Sequence, residues 1–200
     1  MKNSARKLGQ AGFTLIEILV ALILISLLVA AVFPVVTQQA RQADAPRLAN
    51  DLTNIRSGIE LFNVNLRNRF PANFGQLTTQ ITASQAGLGS SASYNSNHIN
   101  RWDGPYIDAT GGTDIVSGFD ATLDSDLVLY DSDNIVLTSA SVANADFVAI
   151  AVQGLDETTF GRLNELLDGE SETASFAAGK LRAVANNTAS AYYLAVPYRQ

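Results

Sequence analysis

The chain has no cysteine among its 200 residues, which excludes disulfides and thiolate-bound metals outright. The absence leaves the compartment open, because many exported domains do without disulfides. Histidine is nearly absent too. His98 stands alone in a polar loop, and without a second histidine a zinc site is not expected. A Ser-His-Asp triad would have to use His98, yet no G-x-S-x-G turn lies near it. Neither a G-x-x-x-x-G-K-[ST] phosphate loop nor a G-x-G-x-x-G fingerprint occurs. Positive charge is scarce beyond residue 41. Residues 42–200 hold nine Lys and Arg against eighteen Asp and Glu. Nucleic-acid binding needs a basic footprint, so no nucleic-acid partner is expected.

Charge of either sign is scarcest in residues 13–36. That run holds one charged side chain, Glu17, one proline, Pro34, and two hydroxyl-bearing polar residues, Thr14 and Ser26, before Val36. Its 24 residues would rise about 36 Å as a helix, and a hydrocarbon core is about 30 Å thick. Before it comes a polar, basic leader of twelve residues carrying Lys2, Arg6 and Lys7. Positive charge ahead of a membrane run keeps that end in the cytoplasm. The remainder of the chain is then expected on the far side, with enough residues to bury a core. Proline inside a helix removes a hydrogen bond and crowds the carbonyl four residues back, so a kink or weak turn is expected at Pro34.

Beyond the apolar run the periodicity stays helical. Leu48, Leu52, Ile55, Ile59, Phe62 and Leu66 recur at alternating spacings of four and three, which places them on one face. Asp44 and Pro46 suggest a kink or restart. Gly58 costs about 1 kcal/mol relative to alanine. The helix is expected to stop at Phe70-Pro71, because the residue before proline resists the helical conformation. Residues 71–100 are rich in small and polar side chains, and Gln85 to Ser96 reads as a surface loop. Short β-type runs follow at Ile115-Val116, Leu127 to Tyr130, Asn134 to Thr138 and Asp146 to Val152, read as an antiparallel meander. Asp156 can cap a helix whose buried side is Phe160, Leu163, Leu166 and Leu167, with Gly169 as its stop. Lys180 to Val184 and Tyr192 to Val196 read as the last strands. The fold class is therefore α+β: a long N-terminal helix packed on a C-terminal antiparallel sheet. Four segments follow: a leader (1–12), an apolar helix (13–36), its amphipathic continuation (37–70) and a globular head (71–200).

Three features carry candidate chemistry. Trp102-Asp103-Gly104-Pro105-Tyr106 is a turn between large aromatics, read as a buried Trp and Tyr fastening a loop, with an aromatic or sugar ligand as the minority reading. Asp124, Asp126, Asp131, Asp133 and Asn134 supply the oxygen ligands calcium prefers but lack the glycine and terminal glutamate of an EF-hand. A solvated acidic edge is the first reading and a calcium-stiffened loop the second. No cofactor is assigned. Glu17 is the third. A carboxylate costs about 2.5–3.5 kcal/mol at a bilayer centre and less near the boundary. It is either a tolerated interfacial glutamate or the partner of a cation inside an assembly.

Gly12-Phe13-Thr14-Leu15-Ile16-Glu17 and the apolar residues after it resemble the class III signal of type IV pilins and type II secretion pseudopilins. Ile59-Glu60-Leu61-Phe62 with Arg69-Phe70-Pro71 and Leu77 resembles the end of the long helix in pseudopilins. Trp102-Asp103-Gly104-Pro105-Tyr106 resembles the W-x-G-P-Y turn of related subunits. The resemblance implies a pilin fold in a structural subunit that is not an enzyme. It implies a prepilin peptidase that cuts between Gly12 and Phe13 and N-methylates Phe13. It implies an inner-membrane holding state with a periplasmic head, then polymerisation with other pilin or pseudopilin subunits through an assembly platform protein. Glu17 would pair with a neighbour's N-terminus. Many pilins close a C-terminal loop with a disulfide, which this chain lacks, and that tilts the resemblance toward pseudopilins.

Two competing readings are kept. One is an exported soluble domain behind an ordinary signal peptide, with Val29-Ala30-Ala31 as the small-residue site. The other is a membrane-anchored enzyme or ligand-binding domain. Glu17 inside the apolar run and the helical pattern continuing beyond it speak against the first. The second has no recognisable catalytic set.

Overall fold

The computed structural model describes residues 13–108, 115–116, 121–131, 136–137, 144–169, 178–183 and 190–199, with the side chains of 34–43, 115–116 and 136–137 left aside. The chain divides into two compact units, residues 1–40 and 41–200.

In the first unit the apolar run is helical from Leu15 onward, as the opening of α1 (Leu15–Asn65). The stretch Leu15–Phe33 is long and apolar enough to cross a membrane, with a mean hydropathy of 3.0 and none of it buried. Helical assignment continues through Pro34 and Pro46, so neither proline ends α1 and the expected restart near 44–46 does not appear. The kink expected at Pro34 falls among side chains outside the described set.

In the second unit α1 buries the face that the spacing marks out. Ala45, Leu48, Leu52, Ile55, Ile59, Phe62 and Leu66 are all 3% exposed or less. Burying each large side chain contributes roughly 1.5–3 kcal/mol, which far outweighs the cost of one helical glycine. The helix ends five residues before the expected Phe70. Arg67 and Asn68 take left-handed φ values of 52° and 68°, and Asn68 N–H returns to the Asn63 carbonyl at 2.9 Å. That closure, not the proline, stops the helix.

The sheet is wholly antiparallel: β1 (Ile115–Val116), β2 (Thr122–Tyr130), β3 (Val136–Leu137), β4 (Phe147–Gln153), β5 (Leu181–Ala183) and β6 (Ser190–Pro197). Its order is β1-β2-β4-β6-β5, with β3 also on β2. The strands of 114–153 do not form the simple meander expected, because β4 pairs β2 instead of β3 among the described residues, and β6 lies between β4 and β5. The α+β class stands and is consistent with a pilin fold. Val148, Ile150 and Val152 of β4 join the core shared with α1, while Ala149 packs with Tyr130 and Leu194 in a second cluster. A strand buried on both faces needs apolar residues at every position, which explains why Phe147–Val152 does not alternate.

Two short helices, α2 (Phe74–Thr78) and α3 (Ser96–Arg101), flank the stretch Gln85 to Ser96 expected to be a loop, α3 taking up its last residue. α4 (Glu157–Asp168) is capped by Asp156 and stopped by left-handed Gly169 at φ 72°, as expected. Its buried side differs. Leu166 is 55% exposed, and Thr159 and Asn164 are buried beside Phe160 and Leu163. The packing around α4 covers Phe160 and Leu163 but not Leu166.

Candidate functional site

The N-terminal site begins at Phe13, which is exposed; Gly12 lies outside the described residues. Thr14 sets the start of α1. Its carbonyl accepts from Glu17 N–H at 3.1 Å and Ile18 N–H at 3.3 Å. Its hydroxyl oxygen accepts from Glu17 N–H at 3.3 Å. Thr14 thereby satisfies a donor left open at the helix start. The T-x-x-E spacing matches a capping box, in which the glutamate would return a bond to the threonine N–H. Only the forward bond is present among the described residues. The cap was legible in Thr14-Leu15-Ile16-Glu17, yet the spacing by itself points to a closed box.

The other hydroxyl of the run is also satisfied locally. Ser26 donates to the Leu22 carbonyl at 2.7 Å, a back-bond that hides its polarity within the helix. Glu17 is different. It sits in the first turn of α1, where the positive end of the helix favours an anion. Among the described residues no ion pair joins it to its own chain. Thr14, Glu17 and Ser26 thus divide into two polar groups the helix accommodates and one carboxylate whose pairing it leaves open.

The head offers no comparable reacting constellation among its described residues. His98 is not in a loop, as expected, but in α3, where its Nδ1 accepts from Asn95 N–H at 3.3 Å. Asn95 returns the favour by accepting from His98 N–H at 3.0 Å. Burial, then Arg69 and Arg101, hold the His98 imidazole below its ordinary pKa. Trp102 and Tyr106 are half-buried and fasten the loop. The indole N–H donates to the Gln76 carbonyl at 2.9 Å. The Tyr106 hydroxyl accepts from Asn65 Nδ2 at 3.1 Å and from Asp103 N–H at 3.0 Å. Gln76, buried beneath them, accepts from Tyr94 OH at 2.8 Å and Ala72 N–H at 2.9 Å, and donates to the Ala86 carbonyl at 3.0 Å. These bonds engage the Trp102 indole N–H, the Tyr106 hydroxyl and the Gln76 amide within the head.

Of the acidic run, Asp133 and Asn134 lie outside the described residues. Asp124 accepts from Asp126 N–H at 3.0 Å and from Gln153 Nε2 at 3.4 Å. Among the described residues no three His, Asp or Glu side chains gather as a metal site would require.

Residues 7–33 match the family described as the prokaryotic N-terminal methylation motif. The chain therefore carries a class III prepilin signal, consistent with a type IV pilin-like protein. No curated protein and no solved structure matches the chain.

Proposed function

We propose that the chain is a structural subunit of a type IV pilus-like filament or a type II secretion pseudopilus. The carrying observation is the methylation motif at residues 7–33, set on an apolar helix whose one carboxylate, Glu17, lies in the first turn. In this reading prepilin peptidase cuts between Gly12 and Phe13 and methylates the new amine. Methylation of an amine keeps its charge. The cation then lies about one helical turn from Glu17 in its own chain and is free to meet Glu17 of a neighbour.

The energetics favour assembly as the place where Glu17 is satisfied. Two unit charges 4 Å apart attract by about 4 kcal/mol at an effective dielectric of 20, against about 1 kcal/mol in water. A buried pair of this kind repays its desolvation only in good geometry, so its main product is register. One carboxylate and one amine per subunit set one step per subunit. The membrane is the holding state, with the head on the far side from the cytoplasm. Other subunits and an assembly platform protein are the partners. The missing disulfide favours the pseudopilin branch, and the reading assigns no catalysis to this chain.

The test is the mature N-terminus of the full chain produced in its own host. Methyl-Phe13 is expected. A start at Val32 would instead establish an ordinary signal peptide and an exported soluble domain, and an intact Met1 a membrane-anchored domain. Glu17→Ala is expected to insert normally and to assemble poorly. Wild-type assembly of that variant would remove the pairing role.

A further inference from the structure

We propose that the cleft at the C-terminal end of α1, walled by Arg67, Asn68, Arg69 and Ser90, receives the acidic side chains Glu157 and Glu165 on α4 of a second copy of this chain. The inference deepens the filament reading above and rests on it for the assembly in which the copies meet.

The cleft is built and positively charged. Arg69 Nη1 donates to Ser90 Oγ at 2.6 Å. Its floor is fixed by Asn63 Nδ2 to the Arg69 carbonyl at 3.4 Å and Leu88 N–H to the Phe70 carbonyl at 2.9 Å. Arg67 is exposed, and among the described residues neither Arg67 nor Arg69 has a carboxylate partner. Arg67 and Arg69, two of the nine basic residues in 42–200, thus wall one cleft of an acidic head.

Arg67, not a glycine, takes the first left-handed position at the end of α1. Left-handed backbone costs of order 1–3 kcal/mol at a residue other than glycine. α4 ends on a glycine at φ 72°, whereas α1 ends on Arg67 and Asn68 at 52° and 68°. Arg67 holds that conformation without glycine's freedom, and both it and Arg69 line the cleft.

The acidic counterpart carries an independent oddity. Glu157, Gly161 and Glu165 recur every four residues and so share one face of α4. They line an open groove with Thr158 and Arg162. Two carboxylates against the one guanidinium of Arg162 leave that groove negative. A glycine inside a helix costs about 1 kcal/mol, yet a Cβ on Gly161 would meet nothing within 4 Å. Packing among the described residues does not call for glycine there, and a body from outside would use the space.

The two sites lie toward opposite ends of the same strands. Tyr198, which borders the arginine cleft, follows the β4–β6 pair Phe147↔Pro197. Glu157 follows the far end of that ladder, where Gln153 pairs with Ser190. Seven strand residues separate the ends by roughly 20 Å. A surface that is positive at one end and negative at the other suits head-to-tail contact, which repeats without closing.

The test uses the full chain in cells that supply prepilin peptidase and the assembly machinery. Ser90→Cys and Gly161→Cys together introduce the only two cysteines. Mild oxidation is expected to give a dimer and a ladder from the double variant and from neither single one. Absence of the ladder overturns the proposal. R67E/R69E in that background is expected to abolish the ladder, and adding E157R/E165R to restore it; failure to restore it overturns the pairing. Should R67E/R69E not fold, E157R/E165R alone, on an exposed helix face, is expected to abolish the ladder, and a persisting ladder overturns the pairing. Methyl-Phe13 without a ladder sinks this inference and leaves the filament reading intact; a ladder without methyl-Phe13 does the reverse. Phosphate or anionic vesicles that raise the melting temperature while no ladder forms would assign the cleft to a free anion or lipid headgroup and overturn the second-copy occupant.

Discussion

Gly58 and Ile107 meet where α1 passes beneath the loop after the Trp102 turn. A Cβ on Gly58 would stand 2.5 Å from Ile107 Cγ2 and 3.0 Å from the Tyr106 carbonyl oxygen. The glycine that costs helical stability is therefore what lets the loop close down. Gly58→Ala gains about 1 kcal/mol of helix propensity, but overpacking costs about 1–3 kcal/mol. A net loss of about 1 kcal/mol is expected in urea unfolding of the full chain. A gain in stability would show that the loop yields freely.

Asp168 fastens the end of α4 to the start of β5. Its carboxylate accepts from Lys180 N–H at 2.9 Å and Leu181 N–H at 3.2 Å. Gly179, at φ 83°, leaves the space that a side chain would fill against that carboxylate. Bonds to an ionised acceptor contribute about 1.5–3 kcal/mol each when sheltered, and partial exposure reduces this. Asp168→Ala is expected to lose about 1–2 kcal/mol and Asp168→Asn less. An unmoved unfolding midpoint for Asp168→Ala would remove the fastening role.

His98 gives the head a pH dependence. Its folded pKa lies below the ordinary value of 6.5 because burial, Arg69 and Arg101 disfavour the charged ring. Protonation also removes the Nδ1 acceptor used by Asn95 N–H. A depressed pKa means the folded state binds the proton less readily than the unfolded state. The contribution is present above the unfolded value and is lost as pH falls toward and through the folded one. The melting temperature is expected to fall across that window, and His98→Gln, which keeps a capping side chain, to flatten the fall. Equal slopes in both proteins would exclude His98 as the source.

Asp51 works in the opposite sense. Burial raises its carboxyl pKa, so ionisation at neutral pH costs stability that is recovered as pH falls through the folded value. Asp51→Asn is expected to raise stability by about 0.5 kcal/mol at neutral pH. The difference should close in acid, where both side chains are neutral. A variant less stable at neutral pH would show that Asp51 holds a favourable contact.

Calcium is expected to leave the melting temperature where a chelator leaves it. Asp124 is turned to its own backbone and to Gln153, not toward a shared centre with Asp126. A higher melting temperature in calcium would restore the metal reading of the acidic run.

The sequence by itself determined the apolar helix, its single carboxylate and the buried face from Leu48 to Leu66. These depend on short-range spacing, and a period of 3.6 residues survives whatever the helix packs against. It also carried the cap and stop of α4, because Asp156 and Gly169 act on their own backbone. Tertiary structure alone decided the rest. Leu166 sits at a core spacing yet is exposed, because burial depends on what packs against the helix, which its own spacing does not encode. The stop of α1 at Asn65 came from Arg67 and Asn68, two residues with no intrinsic signal for the left-handed region as strong as glycine's. The insertion of β6 between β4 and β5 and the bond from Arg69 to Ser90 join residues tens of positions apart. Such pairings are settled by which surfaces fit together, and no local pattern encodes them.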